Sequence, residues 1–383
     1  MSWPRDETKL ERVRGLMADE ELDALVVRAP DNVLYLTNFW GMKGFDAAVF
    51  PREGDPILIT IEPSSQDAAD TAWTTDVRLV PGYDATDPRP PAVRALEVAR
   101  EVASQYEHVG AELSLGTQAT DRMVGEPTTY TKAWFEAFPD AADATPLLNQ
   151  ARALKTDQEV ERMRLANEIA AAAMEHVARE LRPGMKESEA AALWQGFVHG
   201  EGTGWKGRVE LALPFSLVWS GPGIRTFTAT GHRPVQEHEP TLFEIWVCAD
   251  GYWCDHTKNV CPGKLDQRYD ELLDALLGVY GRALEHCRPG ASLPELDRII
   301  RTGIADAGLA EPSHPIAHGV GARAHEPPYA HQAGGGTIEE GMVLAIEPGA
   351  YWDGGGGLRL EDNFLITPEG AEKLSPFPDG VVR

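Results

Sequence analysis

The chain is 383 residues long, which exceeds the usual size of a single hydrophobic core and favours two domains. Hydrophobic residues make up 43% of it, enough for ordinary packed cores, so extended disorder is excluded. With 35 basic and 60 acidic residues the formal charge is -25, which repels phosphate backbones and anionic headgroups and argues against nucleic acid and membrane surfaces as partners.

The N-terminal segment, residues 1–7, lacks the basic and then apolar pattern of a secretory signal peptide. No stretch approaches the roughly 18 consecutive apolar residues that cross a bilayer. The four cysteines have spacings that match neither a paired zinc motif nor a disulfide framework: Cys248, Cys254, Cys261 and Cys287. We therefore expect a cytoplasmic protein with reduced, mostly structural thiols.

The first 150 residues alternate between helical and strand-like segments. We predict one helix over about Thr8–Asp19 and another over about Pro91–Gln105. Four apolar, turn-bounded runs between them are typical of strands: Asp23–Val27, Val33–Leu36, Ala47–Phe50 and Pro56–Thr60. This mixture predicts a compact α/β domain over residues 1–150 that contains no complete active site.

A different pattern begins at Asp157, a plausible helix N-cap that precedes apolar residues at steps of three and four. This helix stops at Pro183-Gly184, and a second helix over about residues 266–287 stops at Pro289-Gly290. The two glycines are 106 residues apart, and each is followed five residues later by a glutamate. Residues 151–383 therefore resemble a duplicated helix-helix-hairpin unit.

The first half of this duplication contains a predicted β-hairpin with a two-residue turn at Asp250-Gly251. Closing the turn there places Ala249 opposite Tyr252 and Trp246 opposite Asp255. Because side chains alternate along a strand, Glu244 shares a face with Trp246 and is a diagonal neighbour of Asp255. Two carboxylates thus converge within an apolar strand pair.

The second half has a matching pair of segments, Val343–Pro348 and Leu358–Asp362. A connection centred on residues 353–355 brings Glu347 alongside Glu361. In a chain with 60 acidic residues these could be solvated strand residues, but their apolar neighbours suggest burial. Buried carboxylates repel one another, and a divalent cation resolves that conflict, so a metal site is favoured over structural acids.

Two histidines follow each other in a glycine- and proline-rich segment between the acidic hairpins. His318 is expected in a glycine-flanked turn from which its imidazole reaches the site, and His325 lies seven residues later. A lone histidine is more often a surface or core residue than a ligand. Their position between the hairpins favours function.

The ordered motifs resemble those of the methionine aminopeptidase, prolidase and creatinase superfamily: Glu244 with Asp255 eleven residues later, His318-Gly319-Val320-Gly321, His325-Glu326-Pro327, Glu347-Pro348-Gly349 and Arg359-Leu360-Glu361-Asp362. Asn32–Thr37 is similar to a signature of its creatinase and prolidase branch, so nearly the whole chain is covered. The resemblance implies an α/β N-terminal domain and an α+β pita-bread C-terminal domain with internal pseudo-two-fold duplication. It also implies a homodimer.

By position, the resemblance implies metal ligands at Glu244, Asp255, His318, Glu347 and Glu361, with Asp255 and Glu361 as bridges between two metals. Four acids and one imidazole suit one or two divalent ions of Mn, Fe, Co or Zn. His325 is expected to lie outside the ligand shell and to contact the substrate carbonyl. Glu347 would also move a proton to the leaving nitrogen.

The pattern breaks at two points. Family hydrolases normally carry Asp where this chain has Glu244, and the extra methylene shifts the carboxylate by about 1.5 Å, which is large for a metal bond held near 2 Å. The segment after Ser220 resembles the one that opens the substrate pocket but lacks its Pro-His pair. His232 could replace that histidine, with His238 as a competitor, and Arg225 and Trp246 are the other expected substrate contacts.

We therefore expect a metal-dependent hydrolase of a C–N amide bond in a small substrate, with Xaa-Pro dipeptides as the substrate class. The main alternative is a family member that acts on a non-peptide metabolite, like creatinases, ectoine hydrolases or dimethylsulfoniopropionate lyases. A catalytically silent binding protein is the third class, which the retained His318, His325, Glu347 and Glu361 disfavour.

Overall fold

The structure, a computed structural model, describes residues 3–41, 44–113, 128–226, 228–310, 312–352 and 354–382. The chain divides into two compact units, Met1–Arg152 and Ala153–Arg383. Among the helices in these ranges, none combines the length and apolar composition that crossing a bilayer requires.

The first unit is built around a mixed sheet. Its elements are α1 (Glu7–Asp19), β1 (Ala24–Val27), α2 (Pro30–Thr37), β2 (Ala47–Pro51), β3 (Ile57–Ile61), α3 (Ser65–Thr71), β4 (Val77–Val80), α4 (Pro91–Ala103), β5 (Val109–Ala111), α5 (Thr128–Ala137), β6 (Ala142–Asp143) and α6 (Thr145–Ala153). Within the described residues the strand order is β4-β3-β2-β1-β5-β6, and β1 runs antiparallel to β2 and parallel to β5.

Apolar side chains cover both faces of this sheet. Leu25 and Val27 of β1 pack in one core with Leu10 of α1, whereas Val26 packs in a second core with Leu96 of α4. A strand that is buried on both faces needs no polar alternation. This burial explains why the run that contains β1 is continuously apolar.

The expected strand at Val33–Leu36 is wrong, because these residues lie in helix α2. Pro30 occupies the first turn and Asn38 ends the helix in the left-handed conformation. Every residue from Asp31 to Thr37 is buried. A short helix buried on all sides shows no 3.6-residue periodicity, so its composition resembles that of a strand.

The second unit has two similar halves. The first half contains α7 (Asp157–Glu180), α8 (Glu187–Phe197), β7 (Ala212–Ser220), β8 (Thr241–Ala249) and β9 (Tyr252–Val260). The second half contains the helices α9 (Gln267–His286) and α10 (Leu293–Asp306). Its strands are β10 (Ala317–Gly319), β11 (Glu326–Tyr329), β12 (Val343–Ile346), β13 (Gly349–Tyr351), β14 (Gly357–Arg359), β15 (Asp362–Thr367), β16 (Gly370–Lys373) and β17 (Val381–Val382). The sheet orders within the described residues are β17-β9-β8-β7 and β11-β10-β12-β15-β16, beside the ribbon β13-β14.

The connections between paired helices repeat in detail, which confirms the expected duplication. Gly184 and Gly290 both have a positive φ, +90° and +85°, in the left-handed region that favours glycine. The Gly184 amide donates to the Val235 carbonyl, and the Gly290 amide donates to the Ile338 carbonyl. A bridge between Thr257 and Glu361 joins the strands of the two halves.

Helix α7 begins one residue earlier than its expected cap implies. The N-cap is Thr156, not Asp157, and its side chain accepts a hydrogen bond from the Glu159 amide. The Glu159 carboxylate in turn accepts from the Thr156 amide, which completes a capping box. Asp157 lies in the first turn, where its negative charge interacts favourably with the positive end of the helix dipole.

All four cysteines lie in the described part of the chain, are buried and form no disulfide with one another. Burial raises the pKa of the Cys287 thiol to about 12. A thiol of this kind stays protonated at neutral pH and is a poor nucleophile or metal ligand.

Candidate metal centre

The first carboxylate hairpin has the register that the Asp250-Gly251 turn predicts. Strand β8 pairs with β9 through Ala249 and Tyr252, Cys248 and Trp253, Trp246 and Asp255, and Glu244 and Thr257. Both turn residues have positive φ, as a two-residue hairpin turn requires. Asp255 is consequently buried on the face that Glu244 also occupies.

The second carboxylate pair lies where two short antiparallel ladders meet. Ile346 pairs with Asp362, and Gly349 pairs with Arg359. Glu347 and Glu361 therefore face each other between these two pairs, and both are buried. Gly354 and Gly355 lie in the connection, as expected, whereas Asp353 lies outside the described residues.

His318 lies in strand β10, so the expected turn at this position is wrong. It pairs with Ala345 of β12, and its imidazole is fully buried. A Cβ on Gly319 would lie 2.6 Å from the Pro327 carbonyl oxygen of β11. The glycine is thus required for close strand approach, because no side chain fits between these backbones.

Two overlapping groups of ligand atoms gather around His318. One consists of Asp255, His318 and His325, the other of His318, Glu347 and Glu361. Within each group the atoms lie within 4.8 Å of one another. Elements from both halves of the unit thus contribute to one cluster.

Two buried atoms of this cluster have no hydrogen-bond partner among the described residues: Asp255 Oδ2 and His318 Nε2. They lie 3.6 Å apart, and His318 Nε2 is also 3.5 Å from Glu347 Oε1. Leaving a buried carboxylate oxygen and an imidazole nitrogen unsatisfied costs free energy. Oxygen and imidazole donors are ligands of divalent transition metals, so the residues fit a metal ion.

The raised pKa values of two carboxylates in the cluster also indicate a site for a cation. Burial, followed by the charges of Glu361 and Glu347, holds the pKa of Asp255 well above its usual range. Burial and the charge of Glu347 likewise raise the pKa of Glu361 to about 8. Negative charge is therefore poorly compensated here, and a bound cation would stabilise the ionised forms.

Glu347 behaves differently from these two carboxylates. Burial alone would raise its pKa, but the His314 imidazole beside it lowers the pKa below its usual range. His314 Nδ1 is 3.1 Å from Glu347 Oε2, and its Nε2 is 3.1 Å from the Tyr351 hydroxyl. His314 is not among the predicted site residues, although its position four residues before His318 was a visible signal.

Arg359 is a second site residue that was not predicted from the sequence. Its Nη2 lies 2.7 Å from Glu244 Oε2, and its Nε donates to Thr257 Oγ1 at 2.6 Å. The Thr257 hydroxyl donates in turn to Glu361 Oε2 at 2.7 Å. Glu244 is therefore linked to the carboxylate cluster through a buried guanidinium.

His325 and Trp246 also border the cluster. His325 Nε2 is 3.3 Å from Asp255 Oδ2, closer than expected for a residue outside the ligand shell. The Trp246 ring packs 6.2 Å from the His325 ring and 5.3 Å from the Phe215 ring, centroid to centroid. This aromatic wall is on the carboxylate face, as strand alternation predicts.

Arg225 and His232, the other expected substrate contacts, are both exposed and belong to neither group around His318. After β7 the chain is held by Glu187, whose carboxylate accepts from the Ser220 amide and hydroxyl. Arg233, next to His232, donates to the Ser220 hydroxyl and pairs with Glu239. Of the neighbours His232 and Arg233, it is therefore Arg233 that points inward. Contacts of Arg225 and His232 with substrate remain predictions.

Buried ion pairs support the strands behind the site. Asp362, next to Glu361, lies 2.5 Å from Lys258 Nζ and 2.9 Å from Lys373 Nζ. Lys155 pairs at 3.0 Å with Glu326, the residue after His325. Each pair lies beside a residue of the cluster and restricts the backbone that carries it.

Comparison with known protein families decides the affiliation. The model of metallopeptidase family M24 matches residues 161–368, more than half of the chain. The chain belongs to family M24. In this M24 protein, residues 9–154 also match the creatinase/prolidase N-terminal domain.

Relatives of this M24 protein match almost its full length. The Xaa-Pro dipeptidases of Pyrococcus horikoshii and Lactobacillus delbrueckii are each 25% identical to it, over 96% of this chain and 96% of theirs. The crystal structure of the prolidase from Pyrococcus horikoshii has a TM-score of 0.78 at 22% identity, over 97% of this chain and 99% of that one. The Xaa-Pro dipeptidase from Bacillus anthracis has a TM-score of 0.79 at 23% identity, over 98% and 99%. The likeness confirms the expected fold, an α/β domain followed by a pita-bread domain.

Proposed function

We propose that this M24 protein is a metal-dependent hydrolase of the C–N amide bond in small substrates, with Xaa-Pro dipeptides as the substrate class. The observation that carries the proposal is the buried convergence of Asp255, His318, Glu347 and Glu361, with two ligand atoms left unsatisfied. The names of full-length relatives at 25% identity support the substrate class.

The proposed roles follow from position and chemistry. Asp255, His318, Glu347 and Glu361 hold the divalent ion, which when bound polarises a carbonyl and lowers the pKa of water. Glu347, adjacent to His314, is the group that transfers a proton to the leaving nitrogen. His325, at the edge of the cluster and 12% exposed, stabilises charge that develops on the substrate oxygen.

The donor set supports a metal of hard to borderline character. Three carboxylates and one imidazole suit manganese, iron, cobalt or zinc, and the excess of oxygen donors favours manganese. The protein should therefore be purified without chelator, and its metal content measured before any ion is added.

We further propose the organisation of the whole protein. Residues 1–150 form the creatinase/prolidase-like domain and residues 151–383 the catalytic domain, in a cytoplasmic homodimer. The two compact units and the separate matches at 9–154 and 161–368 support the division. Light scattering coupled to size-exclusion chromatography tests the dimer, because a monomeric mass would contradict it.

One observation favours a second candidate function. Glu244 stands where family hydrolases normally carry Asp, and it pairs with Arg359. A site altered at this position suits a non-peptide metabolite, as in creatinase-like or ectoine-hydrolase-like hydrolases or dimethylsulfoniopropionate-lyase-like enzymes.

Wild type and Glu244→Asp should be assayed side by side on Xaa-Pro dipeptides, on small amides and on sulfonium and ammonium acids. The proposal expects dipeptide hydrolysis by wild type, maintained or raised in Glu244→Asp, and abolished in Asp255→Asn as the control. If neither protein cleaves dipeptides and only wild type consumes a non-peptide substrate, the second function replaces the first. In that case the shorter side chain misplaces the site, an error that can cost about 10²-fold in rate.

A further inference from the structure

We propose that this centre holds a single divalent ion, and that Glu244 is a partner of Arg359 instead of a metal ligand. The inference rests on the proposed metal-dependent function and deepens it. It replaces the expectation of a fifth ligand at Glu244 and of two ions bridged by Asp255 and Glu361. Three features of the described residues carry it.

The first feature is that both groups of ligand atoms share His318. One imidazole offers two nitrogens, and His318 Nδ1 lies 3.0 Å from the Gly319 carbonyl oxygen, as a hydrogen-bonding nitrogen does. Only Nε2 faces the carboxylates, and one nitrogen lone pair binds one metal ion. The two groups therefore meet at this nitrogen and describe one centre, which Asp255, Glu347 and Glu361 would complete.

The second feature is the position of Arg359. Its guanidinium is 2.7 Å from Glu244, 3.8 Å from Glu361 and 4.0 Å from Glu347, and it is only 3% exposed. An arginine side chain does not lose its proton in a protein. A second divalent ion among the same carboxylates would face this fixed positive charge at short range, and a low-dielectric site strengthens that repulsion.

The third feature is the reach of Glu244. Among the described residues, neither group of three ligand atoms includes it, although strand register makes it a diagonal neighbour of Asp255. Its side chain is 17% exposed, whereas that of Asp255 is 2% exposed. An aspartate would be shorter by about 1.5 Å and would not keep a 2.7 Å contact with the guanidinium from the same backbone. The longer side chain thus ties Glu244 to Arg359.

Metal stoichiometry tests the inference directly. Wild type, Glu244→Gln and Glu361→Gln are saturated with Mn²⁺, desalted, and analysed for manganese per chain by elemental analysis and for spin coupling by electron paramagnetic resonance. We expect one uncoupled Mn²⁺ per chain in wild type and in Glu244→Gln, since the amide keeps the length of the side chain. Glu361→Gln, which removes a proposed ligand, should lose most of its manganese.

Two Mn²⁺ per wild-type chain with a coupled spectrum would overturn the inference, as would a folded Glu244→Gln that binds none. The wild-type measurement decides the number of ions even if the variant fails to fold, which circular dichroism reports. The hydrolysis assay is separate: two ions with dipeptide cleavage would leave the proposed function standing, whereas one ion without cleavage would leave the inference standing.

Discussion

The buried carboxylates Asp362 and Asp255 differ in the charges of the side chains around them. Asp362 is surrounded by Lys258, Lys373 and His256, and although burial would raise its pKa, these neighbours lower it. Asp255 faces other carboxylates, and its pKa is raised. The uncompensated residue is thus the one suited to bind a cation, whereas Asp362 stabilises the fold.

His325 is expected to matter more for turnover than for metal content. It lies 3.3 Å from Asp255 and its side chain is 12% exposed, whereas the other imidazole of the cluster, His318, is fully buried. His325→Ala should keep its ion and lose roughly 100-fold or more in kcat. Elemental analysis and steady-state kinetics on the same preparation measure both quantities.

The opposite result would exchange two proposed roles. If His325→Ala lost its metal but retained its rate per bound ion, His325 would be a ligand and the proposed assignment of His318 would need revision. His318→Ala is the matched control, because its imidazole is fully buried and shared by both groups of ligand atoms.

Asp46 should make stability depend on pH. It is buried, the Thr60 hydroxyl donates to it at 2.6 Å, and burial raises its pKa from 3.8 to about 6. The folded state therefore holds the proton more tightly than the unfolded state. The free energy of unfolding should fall as pH rises from about 4 to 6, by roughly 3 kcal/mol for a shift of about two units.

The test is urea denaturation of metal-free protein between pH 4 and 8. Asp46→Asn cannot ionise, so its free energy of unfolding should lose this decline relative to wild type. Asp67→Asn, at an exposed position, controls for the removal of one negative charge. An Asp46→Asn profile parallel to that of wild type would show that Asp46 does not titrate in this range.

At the scale of elements, the pairing register of a hairpin was easier to predict than the conformation of a segment that is buried by tertiary packing. The Asp250-Gly251 turn determines the β8–β9 register, because a two-residue turn with positive φ leaves one way to close the ladder. Helix α2 and strand β10 were both misassigned. In each case tertiary packing decides the conformation, since α2 is buried on all sides and β10 approaches β11 at a glycine.

The stability of the protein should depend more on Lys258 of strand β9 than on Lys373 of strand β16. Lys258 and Lys373 both contact Asp362, but Lys258 is 4% exposed and Lys373 is 22% exposed. Lys258→Met should destabilise the protein by about 3–5 kcal/mol, because a buried carboxylate loses its buried partner. Lys373→Met should cost about 1 kcal/mol, since solvent still reaches that side.

Chemical denaturation of the two variants under identical conditions measures these losses. Equal losses would mean that the exposed lysine compensates Asp362 as fully as the buried one. The double variant Lys258→Met with Asp362→Asn should recover part of the stability, because removing both charges leaves no buried ion.

At the scale of the whole molecule, the charge of -25 opposes the compact state. Salt shortens the range of this repulsion, from about 10 Å at 0.1 M to about 3 Å at 1 M. We expect Tm to rise by several degrees between 0.1 and 1 M NaCl, measured by calorimetry on protein of constant metal content. Tetramethylammonium chloride is the control for sodium binding, and a Tm that falls with both salts would contradict the repulsion argument.

Local patterns were sufficient to predict the two-part organisation, the internal duplication, the hairpin register and the convergence of Asp255, His318, Glu347 and Glu361. The first three depend on strand alternation, turn residues and repeated helix stops, which are visible locally in the chain, whereas the convergence followed from the duplication together with the family resemblance. The contacts of Glu244 with Arg359 and of Glu347 with His314 required the tertiary structure. These side chains come from segments distant in sequence, and only packing decides which buried carboxylate meets a cation and which is left for a metal.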